Sequence, residues 1–178
     1  MIDINKVPIF TQEVFHFTLP NFEEWKKHIN QIILVEENKN IHKHDTLPKE
    51  ACNVMAKRTA WNSHQRYPAL DILCNEIKKH LKEFIKKENY DVPSLEIADC
   101  WINWYKKNQY AQPHKHGSAL SVAHTNFSNI KELTVKDGTV LIFDGSVSHS
   151  VSSNLTDNTR VTVAMNFKAD YKKNRNEY

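Results

Sequence analysis

Residues 160–167 read Arg-Val-Thr-Val-Ala-Met-Asn-Phe, and this alternation decides the fold class. Successive side chains of a strand point to opposite faces. Val161, Val163, Met165 and Phe167 therefore form an apolar face, and Arg160, Thr162, Ala164 and Asn166 the opposite one. The first face suits burial under helices, the second the wall of a cavity. Leu95 to Tyr105 has the same period, with Ala98, Cys100, Ile102 and Trp104 on one side and Asp99, Trp101, Asn103 and Tyr105 on the other. Ser118 to Phe127, Thr139 to Phe143 and Ser148 to Ser153 read as further strands, separated by turn chemistry at Asp137-Gly138, Asp144-Gly145 and Asn154 to Asn158.

Upstream the period is helical. Glu13 to Thr18 alternates as a short strand, after which Pro20-Asn21 opens a helix that Asn21 can cap and Glu24 can close as a capping box. Phe22, Trp25, Ile29, Ile32 and Ile33 share one helical face. Glu36 to Glu50 is polar and reads as a loop, in which His42-Lys43-His44 is a solvated pair. From Pro68, a favourable first helical residue, Leu70, Leu73, Ile77, Leu81, Phe84 and Ile85 line a second helix ending near Asn89. Short antiparallel strands with one helix-covered sheet predict a mainly β chain with covering helices (α+β), arranged as a double-stranded β-helix, the cupin-like jelly roll. One domain is expected over residues 1–178, with helical support in 1–92 and the jelly-roll core in 93–170.

Composition narrows the function classes. Cys52, Cys74 and Cys100 are odd in number and never form a CxxC pair, as expected of packed, reduced thiols in a cytoplasmic protein, host cytoplasm if the chain is viral. The start, MIDINKVPIF, is neither basic nor a long apolar stretch, and no run approaches the roughly 18 apolar residues a membrane span needs. The net charge of +3 lies largely on lysines such as Lys78, Lys79, Lys82, Lys86 and Lys87. These suit a solvated helix face better than a nucleic-acid footprint, since no arginine-rich or aromatic-interleaved stripe accompanies them.

His114-Lys115-His116 carries the chemistry. Two histidines one residue apart share a strand face, and a third from a distant strand, His149, can complete one side of a metal. Three imidazoles that leave coordination positions open mark a reactive rather than a structural ion, with iron, zinc, copper and nickel all suited. Taken alone, such a pair on a polar strand can equally be solvated.

The segments WINWYKKNQYAQPHKHGSALS (101–121), KDGTVLIFDGSVSHSV (136–151) and RVTVAMNF (160–167) together resemble the core of the iron(II)- and 2-oxoglutarate-dependent oxygenases. Within that family the likeness is to a prolyl-hydroxylase-like branch common in phages and bacteria. Its Tyr…Gln…Pro-His pattern is met by Tyr105, Gln109, Pro113 and His114, with Asn108 where glycine is usual. The resemblance implies that His114, His116 and His149 ligate Fe(II), that Arg160 holds the distal carboxylate of 2-oxoglutarate, and that O2 is the oxidant. It adds Thr162 beside Arg160, Tyr105 near the cosubstrate, and Asn103 and Asn166 facing the cavity. A guanidinium independently suits a carboxylate, because it is permanently charged and pairs in two-pronged fashion. Arg160 is expected on a strand paired with the one carrying His149. A surface ion pair is the plain alternative for Arg160, and satisfaction of buried backbone groups for the two asparagines.

Two departures stand out. His116 replaces the aspartate usual in the iron triad, which implies three-histidine ligation. Only residues 117–148 separate His116 from His149, and Ala123-His124-Thr125 stands where an aromatic motif is usual, so the mouth of the site is expected to be open and His124 can act as a spare ligand. The expected activity is that of a hydroxylase-type dioxygenase on a peptidyl or free amino acid or another small molecule; halogenation or desaturation would use the same residues. A cupin-like zinc hydrolase, a dioxygenase independent of 2-oxoglutarate and a non-catalytic jelly-roll binding module are the alternatives.

Overall fold

The computed structural model describes residues 14–39, 54–87, 94–116 and 132–170. In chain order the elements are β1 (Phe15–Thr18), α1 (Phe22–Asn38), β2 (Val54–Met55), β3 (Lys57–Arg58), a 3-10 turn (Ser63–Gln65), α2 (Pro68–Lys87), β4 (Ser94–Tyr105), β5 (Tyr110–His114), β6 (Thr139–Ile142), β7 (His149–Val151) and β8 (Arg160–Asp170). The strands form three open antiparallel sheets, ordered β1-β6, β2-β5-β7 and β3-β4-β8. The fold is α+β and rich in strands. Among the described residues no helix is long and apolar enough to cross a membrane.

The long β4–β8 pair is the backbone of the structure, and its two faces do different work. Cys100, Ile102 and Trp104 are buried against Ile29, Ile32 and Ile33 of α1 and Leu70, Leu73, Cys74 and Ile77 of α2, with Val161, Val163, Met165 and Phe167 packed on the same core. The apolar face of residues 160–167 is thus covered by the helices, where removal of so much apolar surface from water stabilises the fold. Its neighbour Cys74 raises the Cys100 thiol pKa, and burial raises it further. Lys79, Lys82 and Lys86 lie on the exposed face of α2. A second, smaller cluster of Ala56, Tyr105 and Ala111, with Val54 and Val151, joins the other face of β4 to the β2-β5-β7 sheet.

Several sequence expectations change in detail. A register shift between Ile97 and Asp99 makes Ala98 the extra residue of a bulge, so Ile97 rather than Ala98 joins the core face. Asn21 sits at the start of α1 but has left-handed backbone angles (φ 52°) and makes no side-chain cap. Its carbonyl accepts the Glu24 and Trp25 amides instead, because the extended backbone that aims a capping side chain at those amides is absent. The helix also runs on to Asn38, so Glu36 to Asn38 are helical rather than loop. The strand expected over Ser118 to Phe127, His124, the His42–His44 pair, Cys52 and the end of α2 near Asn89 lie outside the described residues.

Candidate metal centre

His114 is the last residue of β5 and pairs directly with His149, the first residue of β7. Their ring centroids are 4.3 Å apart. The strand ends there, so His116 does not share a face with His114 by strand alternation, as its spacing predicts. It is brought in by a different device: the His116 amide donates to the Gly145 carbonyl at 2.8 Å. Its ring then lies 5.1 Å from that of His114 and 5.0 Å from that of His149, nearly parallel to the latter. One nitrogen from each of the three imidazoles falls within 4.8 Å of the others. Of the groups described, these three histidines form the candidate metal site.

Hydrogen bonding prepares two of these rings as ligands. His114 Nδ1 lies 2.7 Å from the Gln112 carbonyl and His149 Nδ1 3.0 Å from the Val147 carbonyl. A carbonyl can only accept, so each Nδ1 carries the proton and each Nε2 keeps its lone pair for a metal. Such partners also fix ring orientation, as the outer shell of a metal site does. Burial pushes the His116 imidazole below its ordinary value, His149 and His114 adding to the effect and Asp99 opposing it. Burial likewise lowers His149, opposed by the Val147 hydrogen bond and assisted by His114. Both shifts keep the donors neutral, the state a metal requires, so the donor set fits a divalent transition ion.

The sign of the pH dependence follows. The unfolded histidines titrate at the ordinary value of 6.5, while folded His116 and His149 titrate lower. Between those values the unfolded chain binds more protons, so metal-free stability falls as pH drops through 6.5 towards the folded pKa values. Urea unfolding at pH 7.5 and 5.5 is expected to give a lower midpoint in acid, and zinc is expected to raise the midpoint at pH 7.5 more than at pH 5.5.

Gly145 was legible only as part of a turn, yet it seats His116. A methyl group on Gly145 would stand 2.6 Å from the His116 carbonyl oxygen, closer than nonbonded atoms tolerate. The turn itself is held by Asp144, whose side chain accepts the Ser146 amide at 2.8 Å and whose carbonyl accepts the Val147 amide. Gly145→Ala is expected to displace His116 and weaken metal binding by about tenfold or more, in the range seen when ligand-orienting groups are lost. Zinc titration of the variant, with circular dichroism as a check on folding, reads this directly.

Trp101, 4% exposed, lies against His116 at 5.7 Å with the rings 22° from parallel, and so walls the centre on the β4 side. The other sequence-predicted residues occupy the same face of the β4–β8 pair. Asn103 is registered with Thr162, and Tyr105 with Arg160. Asn103 Nδ2 donates to Thr162 Oγ1 at 3.3 Å. Burial raises the pKa of the Tyr105 hydroxyl, opposed by the Thr162 side chain and the Arg160 charge. Asn166 donates to Asp99 at 3.2 Å, so its amide is engaged by a carboxylate rather than by backbone.

Arg160 departs from expectation in one respect: β8 pairs with β4, not with β7. It nonetheless reaches the β7 side, donating to the Ser152 carbonyl three residues beyond His149. Its guanidinium carbon lies 4.9 Å from the Tyr105 ring centroid. Burial lowers its pKa, opposed by Tyr105, but a guanidinium stays charged. No carboxylate among the described residues forms an ion pair with it, and its buried Nε has no hydrogen-bond partner. The buried Asn103 Oδ1 is also unpartnered. Buried polar atoms are rarely left unpaired, so this face has unused capacity for a polar ligand.

The turn between β4 and β5 explains one substitution within the motif. Asn108 has φ 65°, the left-handed region that favours glycine and that asparagine tolerates best among other residues. Buried Asn154, read from sequence only as turn material, ties this turn to the loop before β8. Its side chain donates to the Tyr105 and Asn158 carbonyls, its amide donates to Gln109, and its carbonyl accepts from Asn108.

No protein-family model matches the chain, and no curated protein matches it.

Proposed function

We propose that this chain is a non-haem iron(II), 2-oxoglutarate-dependent oxygenase on a double-stranded β-helix, hydroxylating a peptidyl or free amino acid or another small molecule. The observation that carries the reading is the three-histidine group beside a sheet face that holds an arginine with no carboxylate partner among the described residues. In such a site His114 and His149 present Nε2 to the ion, and His116 supplies the third donor. Arg160, backed by the Tyr105 ring, receives the distal carboxylate of 2-oxoglutarate in two-pronged fashion, with Thr162 as a further hydroxyl contact. Trp101 keeps water from the His116 side. Iron(II) with 2-oxoglutarate and O2 supplies the oxidation of a C–H bond, 2-oxoglutarate leaving as succinate and carbon dioxide.

The test is anaerobic reconstitution with iron(II), followed by admission of oxygen with and without 2-oxoglutarate. Oxygen uptake and slow succinate formation that need both components are expected even without the prime substrate. Zinc retention with no such oxygen uptake would favour a cupin-like hydrolase built on the same three histidines.

A further inference from the structure

Asp99 begins the row Asp99, Trp101, Asn103, Tyr105 on the cavity face of β4, and across the strand pair it is registered with Asn166, at the opposite end of the face from Arg160. At about 3.3 Å per residue the two ends stand roughly 20 Å apart along the strands, so 2-oxoglutarate held at Arg160 covers only part of the face. Between them Trp101 is registered with Ala164, whose methyl group adds little bulk. Trp101 itself is fixed, with the Trp61 ring edge to face at 4.4 Å and 68° and His116 stacked on it at 5.7 Å.

The free end of this face is short of hydrogen-bond donors. Asn166 Nδ2 donates to Asp99 Oδ2 at 3.2 Å, and among the described residues no lysine, arginine or histidine forms an ion pair with the half-buried Asp99. A partly desolvated charge without a counter-charge is costly. On the other side of Trp101, the 4%-exposed Asn103 donates through Nδ2 to Thr162 and leaves its buried Oδ1 without a donor. 2-Oxoglutarate offers carboxylates and a ketone, which only accept, so it satisfies neither group. The Asp99 charge also reaches the centre: burial holds His116 below its ordinary value, His149 and His114 add to this, and Asp99 opposes them.

We propose that Asp99 binds a primary alkylammonium group of a small molecule at the end of the cavity face remote from Arg160. As the substrate contact of the three-histidine centre it rests on the oxygenase reading. An ammonium brings both a compensating charge and three donors, and a charge-assisted hydrogen bond to a carboxylate is roughly twice as strong as a neutral one. An alcohol of equal length offers a donor without the charge, and a carboxylate is repelled. Arg160 and Asp99 thus sort the two ligands of the face by the sign of their charge.

The chain has four tryptophans, so nitrogen-15 spectra of the zinc-loaded full chain resolve its indole N–H signals, with Trp101 assigned through Trp101→Phe. 2-Oxoglutarate is titrated first, then n-pentylammonium, pentan-1-ol and pentanoate in separate samples. Pentylammonium is expected to shift the Trp101 signal saturably, with the other two probes at least tenfold weaker. Asp99→Asn, which still accepts from Asn166, should weaken pentylammonium at least tenfold with an unchanged circular dichroism spectrum, while Asp99→Glu retains most of the affinity. No shift at Trp101, equal affinity for pentylammonium and pentan-1-ol, or wild-type affinity in Asp99→Asn overturns the proposal; if that variant does not fold, the comparison of charged and uncharged probes on the wild type decides. Pentylammonium bound through Asp99 with no binding of 2-oxoglutarate supports this site and removes the oxygenase reading; bound 2-oxoglutarate with no pentylammonium does the reverse.

Discussion

His116→Ala is expected to weaken iron(II) binding on the order of a hundredfold, about 3 kcal/mol, the share of one donor when the 10–16 kcal/mol of a four-ligand site is divided among its ligands. The loss should come from the imidazole alone, because the His116 backbone is held by its amide hydrogen bond to Gly145. His116→Asp should keep most of the affinity by restoring a carboxylate to the triad. Equilibrium competition with a chromophoric chelator, under argon and with chloride varied, measures both variants. Unchanged iron affinity in the alanine variant would show that His114 and His149 hold the metal by themselves; chloride dependence would then identify the occupant of the third position.

Arg160→Ala is expected to leave iron affinity unchanged and to weaken 2-oxoglutarate by about 2 to 5 kcal/mol, the range for truncating one partner of a desolvated charge pair. The physical ground is the placement of the guanidinium: over the Tyr105 ring, anchored to the Ser152 carbonyl, and with Nε buried without a partner. Arg160→Lys should not rescue binding, since an ammonium cannot offer the planar pair of donors. Calorimetry with 2-oxoglutarate on the metal-loaded variants reads the effect. Wild-type affinity in Arg160→Ala would place the distal carboxylate elsewhere.

Much of the scaffold is legible in the alternation of Leu95 to Tyr105 and Arg160 to Phe167 and in the helical spacing of the two apolar helices, because burial of one face imposes a period on sequence. The devices that position the site leave no such trace. The bulge at Ala98 shifts the pattern by one residue, and β2 and β3, two residues each, are too short to show a period. The left-handed angles of Asn21 look from sequence like an ordinary cap. His114 and His116 were marked as partners by their spacing, but through strand alternation; the structure joins them through Gly145, a tertiary contact that spacing cannot encode. Trp61 carries no signal at all until the fold sets it beside Trp101.

The most direct measurement is an anaerobic calorimetric titration of 2-oxoglutarate into the chain, once loaded with iron(II) and once metal-free. Expected is saturable one-to-one binding to the loaded protein and binding at least tenfold weaker without metal, because the His114–His116–His149 group and Arg160 would hold opposite ends of the same molecule. Equal binding with and without iron, or none in either case, would contradict a site in which these four residues act together.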